Sequence, residues 1–302
     1  MKVLIIGLGS IAKKHIASLQ KIEGIFEIYA LRSSRTSKPY DGVTDLFDID
    51  EVMAMSFDFA IISNPTAEHK SALELVADMN IPLFIEKPLY HTLDIKDIVE
   101  KIVRKGTLTY IACNLRFLPC IQFIKQYLSD NHIRVNEVNS YCGSYLPTWR
   151  PEQDYRKVYS SIPELGGGVH IDLIHEIDYL YWLFDKPKTV NKVFSHKSSL
   201  KIDAVDYANY CLEYDTFNVS LVLNYFRKDS KRSLEIVAEE GTFNVDLLTD
   251  SVTKGGELIF QSEERIIDTY PKQMAYFVSC MKGEKKSLNT IQEAYRVLLI
   301  CL

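Results

Sequence analysis

The 302 residues read as an α/β protein of two domains, a doubly wound parallel sheet followed by an α/β domain on a second sheet. Three observations predict this. Short apolar, β-branched runs alternate with helical segments early in the chain. A glycine-rich turn follows the first run. After about residue 117 the rhythm changes to helices and then to a succession of strands.

Val3–Ile6, ending at Gly7, has the pattern of a buried parallel strand feeding a tight turn, and Ser10–Lys21 has helical spacing with Ile11, Ile16 and Leu19 on the core face. Phe26–Leu31, Asp58–Ile62 and Pro82–Ile85 predict further strands, separated by helices such as Glu68–Met79. The first domain is expected over residues 1–117 and the second over 118–302. The second opens with a helix at Cys120–Ser129 and a strand at Glu137–Tyr145. An irregular stretch rich in Pro, Trp and Tyr follows, then the triplet Gly166–Gly168 and a helix over Val169–Phe184. From Thr189 to Val252 alternation predicts strands, Asn218–Tyr225 and Leu234–Ala238 among them. Helices followed by strands imply a sheet covered on one face, the other being free for self-association as a homodimer or homotetramer. The apolar helical segment Ile291–Leu302 is expected either to be trimmed or to tuck against the first domain.

A net charge of -5 offers no field for a phosphate backbone, which excludes nucleic acid as a partner. No apolar run approaches the roughly 20 residues that span a bilayer, and Met1–Ile6 lacks the features of a signal peptide. The cysteines are scattered without a CxxC pair, as expected for reduced thiols in a cytoplasmic protein.

Gly7-Leu8-Gly9-Ser10-Ile11-Ala12 follows a strand and opens a helix, the context that a GxGxxG/A dinucleotide motif requires. Gly7 makes the turn, Gly9 lets the backbone approach a pyrophosphate, and small Ala12 lets helix and strand pack closely. Unpaired N–H groups at Ser10, Ile11 and Ala12 add the positive end of the helix dipole. A glycine turn serving packing alone is the other reading. The second strand ends Ala30-Leu31-Arg32-Ser33-Ser34-Arg35-Thr36. A carboxylate there would bond the NAD ribose, whereas arginines and hydroxyls accommodate a 2′-phosphate, so Arg32, Ser33, Ser34 and Arg35 favour NADP over NAD. The alternative leaves the arginines in solvent.

Ser63-Asn64-Pro65-Thr66 ends another buried strand at the carboxyl edge, where such sheets place ligands, so Asn64, Pro65, Thr66 and nearby His69 join the expected cofactor set. A helix-capping turn is the bland alternative. Phe84-Ile85-Glu86-Lys87-Pro88 ends at the same edge, which adds Glu86 and Lys87 to the expected cofactor set; there Lys87 is placed to stabilise an alkoxide or polarise a carbonyl. A surface ion pair is the alternative. In the helix after the glycine triplet, Asp172, His175 and Asp178 recur every three residues near one face. A carboxylate beside an imidazole suits a histidine acting as general base on an alcohol or general acid on a carbonyl. A metal site from His170, Asp172 and His175 is disfavoured, because His170 is out of phase and HExxH is absent.

Together the GLGSIA turn, the Glu86-Lys87-Pro88 tripeptide and the glycine-triplet helix resemble the Gfo/Idh/MocA family over nearly the whole chain. The resemblance implies a Rossmann domain, then an α/β domain on an open, mostly antiparallel sheet. It also implies NAD- or NADP-dependent oxidation or reduction of sugars, inositols and related compounds. Lys87 matches the family's active-site lysine, His175 its catalytic histidine and Asp172 the preceding acid. Asn114-Leu115-Arg116-Phe117 looks like the segment that closes the first domain and faces the active site, which adds Asn114 and Arg116 to the cofactor set. Most members space acid and histidine as D-x-G-x-H; here Asp172-Leu173-Ile174-His175 is one residue shorter and lacks the glycine. The HEID form, with Gly143–Pro151 and Asp154-Tyr155-Arg156, looks like a branch linked to bacterial surface-polysaccharide or nucleotide-sugar metabolism.

In that middle stretch Tyr145, Trp149 and Tyr155 offer flat apolar faces for a sugar ring, and Arg150 and Arg156 suit a carboxylate or phosphate. An aromatic loop packing on the sheet is the alternative. The expected reaction is hydride transfer to or from a sugar-like carbon, with imine or enol reduction as a variant. A catalytically silent NAD(P)-binding regulator or assembly subunit is the alternative from another class.

Overall fold

The computed structural model describes residues 1–302. Contacts divide the chain into two units, Met1–Cys113 with Tyr270–Ile300 and Leu302, and Asn114–Thr269 with Cys301. The boundary expected after residue 117 thus stands after Cys113, and residues 270–300, expected in the second domain, cluster with the first.

The first unit contains β1 (Lys2–Ile6), α1 (Ser10–Leu19), β2 (Glu27–Leu31), β3 (Val43–Leu46), α2 (Ile49–Met53), β4 (Phe59–Ile62), α3 (His69–Val76), β5 (Leu83–Ile85), α4 (Lys96–Arg104) and β6 (Thr109–Ile111). Its strands are all parallel, in the order β3-β2-β1-β4-β5-β6. Val3, Leu4 and Ile5 of β1 and all four residues of β4 are fully buried, so both faces of the sheet are covered and these strands are continuous apolar runs. The order reverses between β1 and β4, which creates a crevice at their carboxyl ends.

The second unit comprises α5 (Pro119–Asp130), β7 (Val135–Tyr145), α6 (Val169–Asp172), α7 (Ile174–Phe184), β8 (Thr189–Ser195), β9 (Tyr207–Glu213), β10 (Asn218–Asn224), β11 (Phe226–Ala238), β12 (Gly241–Asp246), β13 (Ser251–Lys254) and β14 (Glu257–Gln261). The eight strands run β14-β13-β12-β11-β7-β10-β9-β8, antiparallel throughout except β7 with β10. Alternation sets the faces. Val219, Leu221 and Leu223 of β10 are buried, whereas Asn218 and Ser220, which alternate with them, are exposed. Phe123 of α5 stacks on Phe260 at 4.6 Å, and Tyr127 meets Phe243 edge-on at 5.3 Å. Asp250, buried in the turn before β13, accepts a hydrogen bond from the Cys120 amide at 2.8 Å and so satisfies one free N–H in the first turn of α5.

One helix was expected over Val169–Phe184, but Leu173, at φ -100 and ψ 23, leaves the α region and splits it into α6 and α7. Asp172, His175 and Asp178 therefore do not share one face of a continuous helix, since Asp172 ends α6 while His175 is the second residue of α7.

After the second sheet, α8 (Thr269–Met281) and α9 (Ile291–Cys301) complete the chain. Phe277 of α8 packs on Phe59 and Phe84 of the parallel sheet, each at 5.4 Å. The segment before α9 covers the free edge of β6: Ile111 N–H donates to Asn289 O at 2.9 Å, and Ile291 N–H to Thr109 Oγ1 at 2.9 Å. Burying apolar surface and pairing an open strand edge bring this stretch to the first unit. No helix is long and apolar enough to cross a membrane. All six cysteines are free thiols, and only Cys211 is exposed.

Candidate active site

Gly7 follows β1 at φ +89, where a side chain is strained. A Cβ on Gly7 would stand 2.4 Å from the Asn64 Cα, so the loops after β1 and β4 close to within backbone contact only because no side chain intervenes. Ser63 fixes that approach by donating its hydroxyl to Gly7 O at 2.9 Å. At Gly9 a Cβ would meet nothing within 4 Å, and no side chain caps α1 there. Ser10 is exposed, Ile11 half-buried, and Ala12 packs fully buried under the turn. An uncapped helix start beside an open glycine, at the switch point of a parallel sheet, fits the pyrophosphate of a dinucleotide.

The arginines at the end of β2 are both engaged. Arg32 is mostly buried and donates to Asp45 Oδ1 at 2.6 Å and to Lys38 O at 3.3 Å. Arg35 is exposed, pairs with Asp48 at 2.5 Å and lies over the Phe47 ring at 5.0 Å. Ser34 bonds Thr36 at 2.8 Å, and Ser33 is exposed. The carboxylates missing from the end of β2 therefore come from β3 and the turn after it. Asp45 sits opposite Ala30 in the ladder.

Pro65 is exposed and Thr66 half-buried, while the Asn64 amide donates to Glu68 O at 3.0 Å. His69 is buried and spans two loops, its Nδ1 3.2 Å from Leu89 O and its Nε2 3.0 Å from Asn64 O. Burial holds its imidazole below the usual range, against the pull of those carbonyls. Glu86, expected at the cofactor, has both oxygens in use: Oε1 on His15 Nε2 at 2.5 Å and Oε2 on the Lys87 amide at 3.2 Å. His15 is fully buried on α1, edge-on to Phe84 at 4.8 Å. Lys87 itself is half-buried.

In the second unit Asp172 is buried and accepts the Tyr225 hydroxyl at 2.5 Å. Burial, then the Asp172 charge, pushes the Tyr225 phenol well above its usual range, and both causes act on Tyr159 in the same direction. These phenols stay protonated. His175 is largely buried, its Nε2 3.6 Å from Glu176 Oε1. Glu176, with no exposed surface, is held by Arg232, whose Nε donates at 2.6 Å. Asp178 takes a bidentate pair from Arg116, Nε to Oδ2 at 2.8 Å and Nη2 to Oδ1 at 2.7 Å, with both side chains 1% exposed. Arg116, expected at the cofactor, thus spends its guanidinium on a core ion pair. Asn114, expected there too, donates its amide to Thr269 Oγ1 at 2.7 Å.

The aromatic stretch packs largely on itself. Trp149 donates to Ser144 Oγ at 3.0 Å and meets Tyr225 edge-on at 5.4 Å, leaving 39% of its surface exposed. Arg150 lies over Tyr159 at 5.3 Å and Arg156 over Tyr155 at 4.6 Å, whose hydroxyl donates to Leu200 O at 3.1 Å. Lys228 lies over Tyr145 at 5.6 Å. Leu146, Trp149, Arg150, Tyr155, Val158 and Ser160 enclose only about 10 Å³, the room of one water. A sugar ring does not enter that gap.

Two family models match the chain. Residues 1–112 match the oxidoreductase family with an NAD-binding Rossmann fold, and residues 122–244 match the GFO/IDH/MocA C-terminal domain. The chain belongs to the GFO/IDH/MocA family. No curated protein matches it in sequence. Among solved structures, this GFO/IDH/MocA chain is similar to myo-inositol 2-dehydrogenase from Lactobacillus plantarum, at 19% identity and TM-score 0.82, covering 100% of this chain and 95% of that one. UDP-N-acetylglucosamine 3-dehydrogenase GnnA from Acidithiobacillus ferrooxidans gives 16% and 0.79 over 100% and 95%. An oxidoreductase from Agrobacterium radiobacter, solved with NAD+, L-tartaric acid and magnesium, gives 17% and 0.81 over 100% and 94%. At these identities the likeness is one of fold.

Sequence reasoning missed His15, Tyr225, Arg232 and the Arg116–Asp178 pair. His15 left a signal: Ala12, His15, Ile16 and Leu19 form the buried stripe of α1, and a polar side chain on such a stripe requires a partner. The others gave none, because their partners Asp172, Glu176 and Asp178 sit on α6 and α7 and become neighbours only through tertiary packing.

Proposed function

We propose that this family member is an NAD(P)-dependent dehydrogenase or reductase acting on a CH–OH carbon of a sugar or sugar derivative, nucleotide sugars included. The observation that carries the reading is the glycine approach of Gly7 to Asn64 beside the uncapped start of α1. Gly7, Gly9 and the first-turn amides of Ser10, Ile11 and Ala12 would hold the pyrophosphate, and Asn64, Pro65 and Thr66 line the facing loop. The bound dinucleotide supplies the hydride chemistry. Lys87 steadies negative charge on the reacting oxygen, and His175 gives or takes its proton. Asp172 is held in place by the Tyr225 hydroxyl. Trp149, the exposed member of the aromatic stretch, offers a face to the sugar.

NADP is the favoured cofactor, with exposed Arg35 leaving Asp48 for the 2′-phosphate while Arg32 stays with Asp45. Free thiols suit a cytoplasmic protein, and the uncovered sheet face is the surface for self-association. The test follows nicotinamide absorbance across a panel of sugars and nucleotide sugars, after fluorescence titration with NADPH and NADH. Turnover lost in Lys87→Met and His175→Gln with dinucleotide binding kept supports the reading; unchanged turnover in both variants removes it. Tighter binding of NADH than NADPH refutes the cofactor preference.

A further inference from the structure

Lys87 lies just beyond the three-residue strand β5, in a stretch without regular structure, so something other than a ladder must set its backbone. The residues on either side of it are tied to two buried imidazoles from different helices. On one side the Glu86 carboxylate bridges His15 Nε2 on α1, at 2.5 Å, to the Lys87 amide, at 3.2 Å. On the other, Leu89 O lies 3.2 Å from Nδ1 of His69 on α3 and Asn64 O lies 3.0 Å from its Nε2, so the single N–H of the neutral ring donates to one of these two carbonyls while the buried ring packs between both loops. His15, His69, Glu86 and Leu89 are all buried.

We infer that His15 and His69 are positioning residues for Lys87, acting through Glu86 and Leu89. This rests on the function proposed above for Lys87. His15 Nδ1 has no partner and its ring faces Phe84, so the proton belongs on Nε2, where Glu86 accepts it. A buried polar chain of this kind is a poor way to stabilise a core, because well-packed apolar residues in its place are often neutral or better. What the chain provides is direction: it fixes the amide of Lys87, and with it the origin of the lysine side chain. A displacement of about 1 Å at a reacting group costs on the order of 100-fold in rate.

The test compares His15→Gln, which keeps an N–H donor, with His15→Leu, the apolar double variant His15→Leu/Glu86→Met, and His69→Leu. Expected are a melting temperature for the double variant at or above that of the parent and an NADPH Kd within about twofold in the three variants that change His15. The kcat should fall on the order of 10- to 100-fold in every variant except His15→Gln. Parent-level kcat in the double variant overturns the inference. So does a loss of kcat matched by a loss of NADPH affinity, and so does a double variant that fails to fold. A second readout needs no turnover. The amide NMR resonance of Lys87 should move in His15→Leu and stay near its place in His15→Gln; an unmoved resonance in both sinks the inference. A parent chain that binds NADPH yet turns over no sugar defeats the proposed function, while the NMR comparison still decides this one.

Discussion

Lowering the pH should destabilise the second unit through one histidine. His170 follows the glycine triplet, is 8% exposed and stacks at 4.7 Å on Phe194. Its Nδ1 is buried without a hydrogen-bond partner. Burial, helped by the charge of Lys192, pulls its imidazole down to about 4 from an ordinary value near 6.5. Between those values the unfolded chain binds a proton that the folded chain refuses, so stability falls as the pH drops through this window and levels off below it. At ~1.4 kcal/mol per unit, the drop is roughly 3 kcal/mol from this residue. Urea unfolding of the parent and His170→Phe from pH 7.5 to 4 isolates the contribution, since carboxylates and other histidines titrate alike in both. The parent should lose about 3 kcal/mol more than the variant. Parallel curves, agreeing within about 1 kcal/mol, would refute the reasoning.

Three more outcomes follow from the geometry. Arg116→Met or Asp178→Leu alone should cost about 3–5 kcal/mol in urea unfolding, because each strands a buried charge, and the double variant should cost clearly less than the sum. Gly7→Ala meets both a positive φ and the Asn64 backbone, so NADPH titration should show affinity weakened on the order of 10- to 100-fold. Tyr225→Phe removes a hydrogen bond to buried Asp172 and should cost about 1–3 kcal/mol of stability while shifting the pH profile of kcat.

The parallel sheet was legible where strands are buried on both faces. Val3–Ile6 and Phe59–Ile62 are uninterrupted apolar runs, and the expected strands Val3–Ile6 and Asp58–Ile62 each differ by one residue from the observed Lys2–Ile6 and Phe59–Ile62. β3 and β6 escaped notice for a physical reason: the sequence VTDL of β3 buries only Leu46 fully, and β6 is three residues long. Neither is long enough to show a period. The return of residues 270–300 to the first unit was equally invisible, because pairing with the edge of β6 runs through Asn289 and Ile291, whose identities advertise nothing about partners 178 and 182 positions earlier.

Site residues divide along the same line. Backbone-driven features were readable, since a glycine turn between strand and helix dictates its own geometry from local spacing. Charge partners were not. Arg32 was placed correctly at the end of β2 and yet judged without its acid, because Asp45 becomes its neighbour only once β3 lies beside β2. A helical period pairs Asp172 with His175, but Leu173 breaks that period, and Tyr225 holds the Asp172 carboxylate from 53 positions away. Side chains that carry charge into a core take their partners from tertiary register, so a sequence can nominate them but cannot assign their roles. That asymmetry is why the buried stripe of α1 matters: His15 could have been nominated from helical phase alone, whereas its hold on Lys87 through Glu86 required the fold.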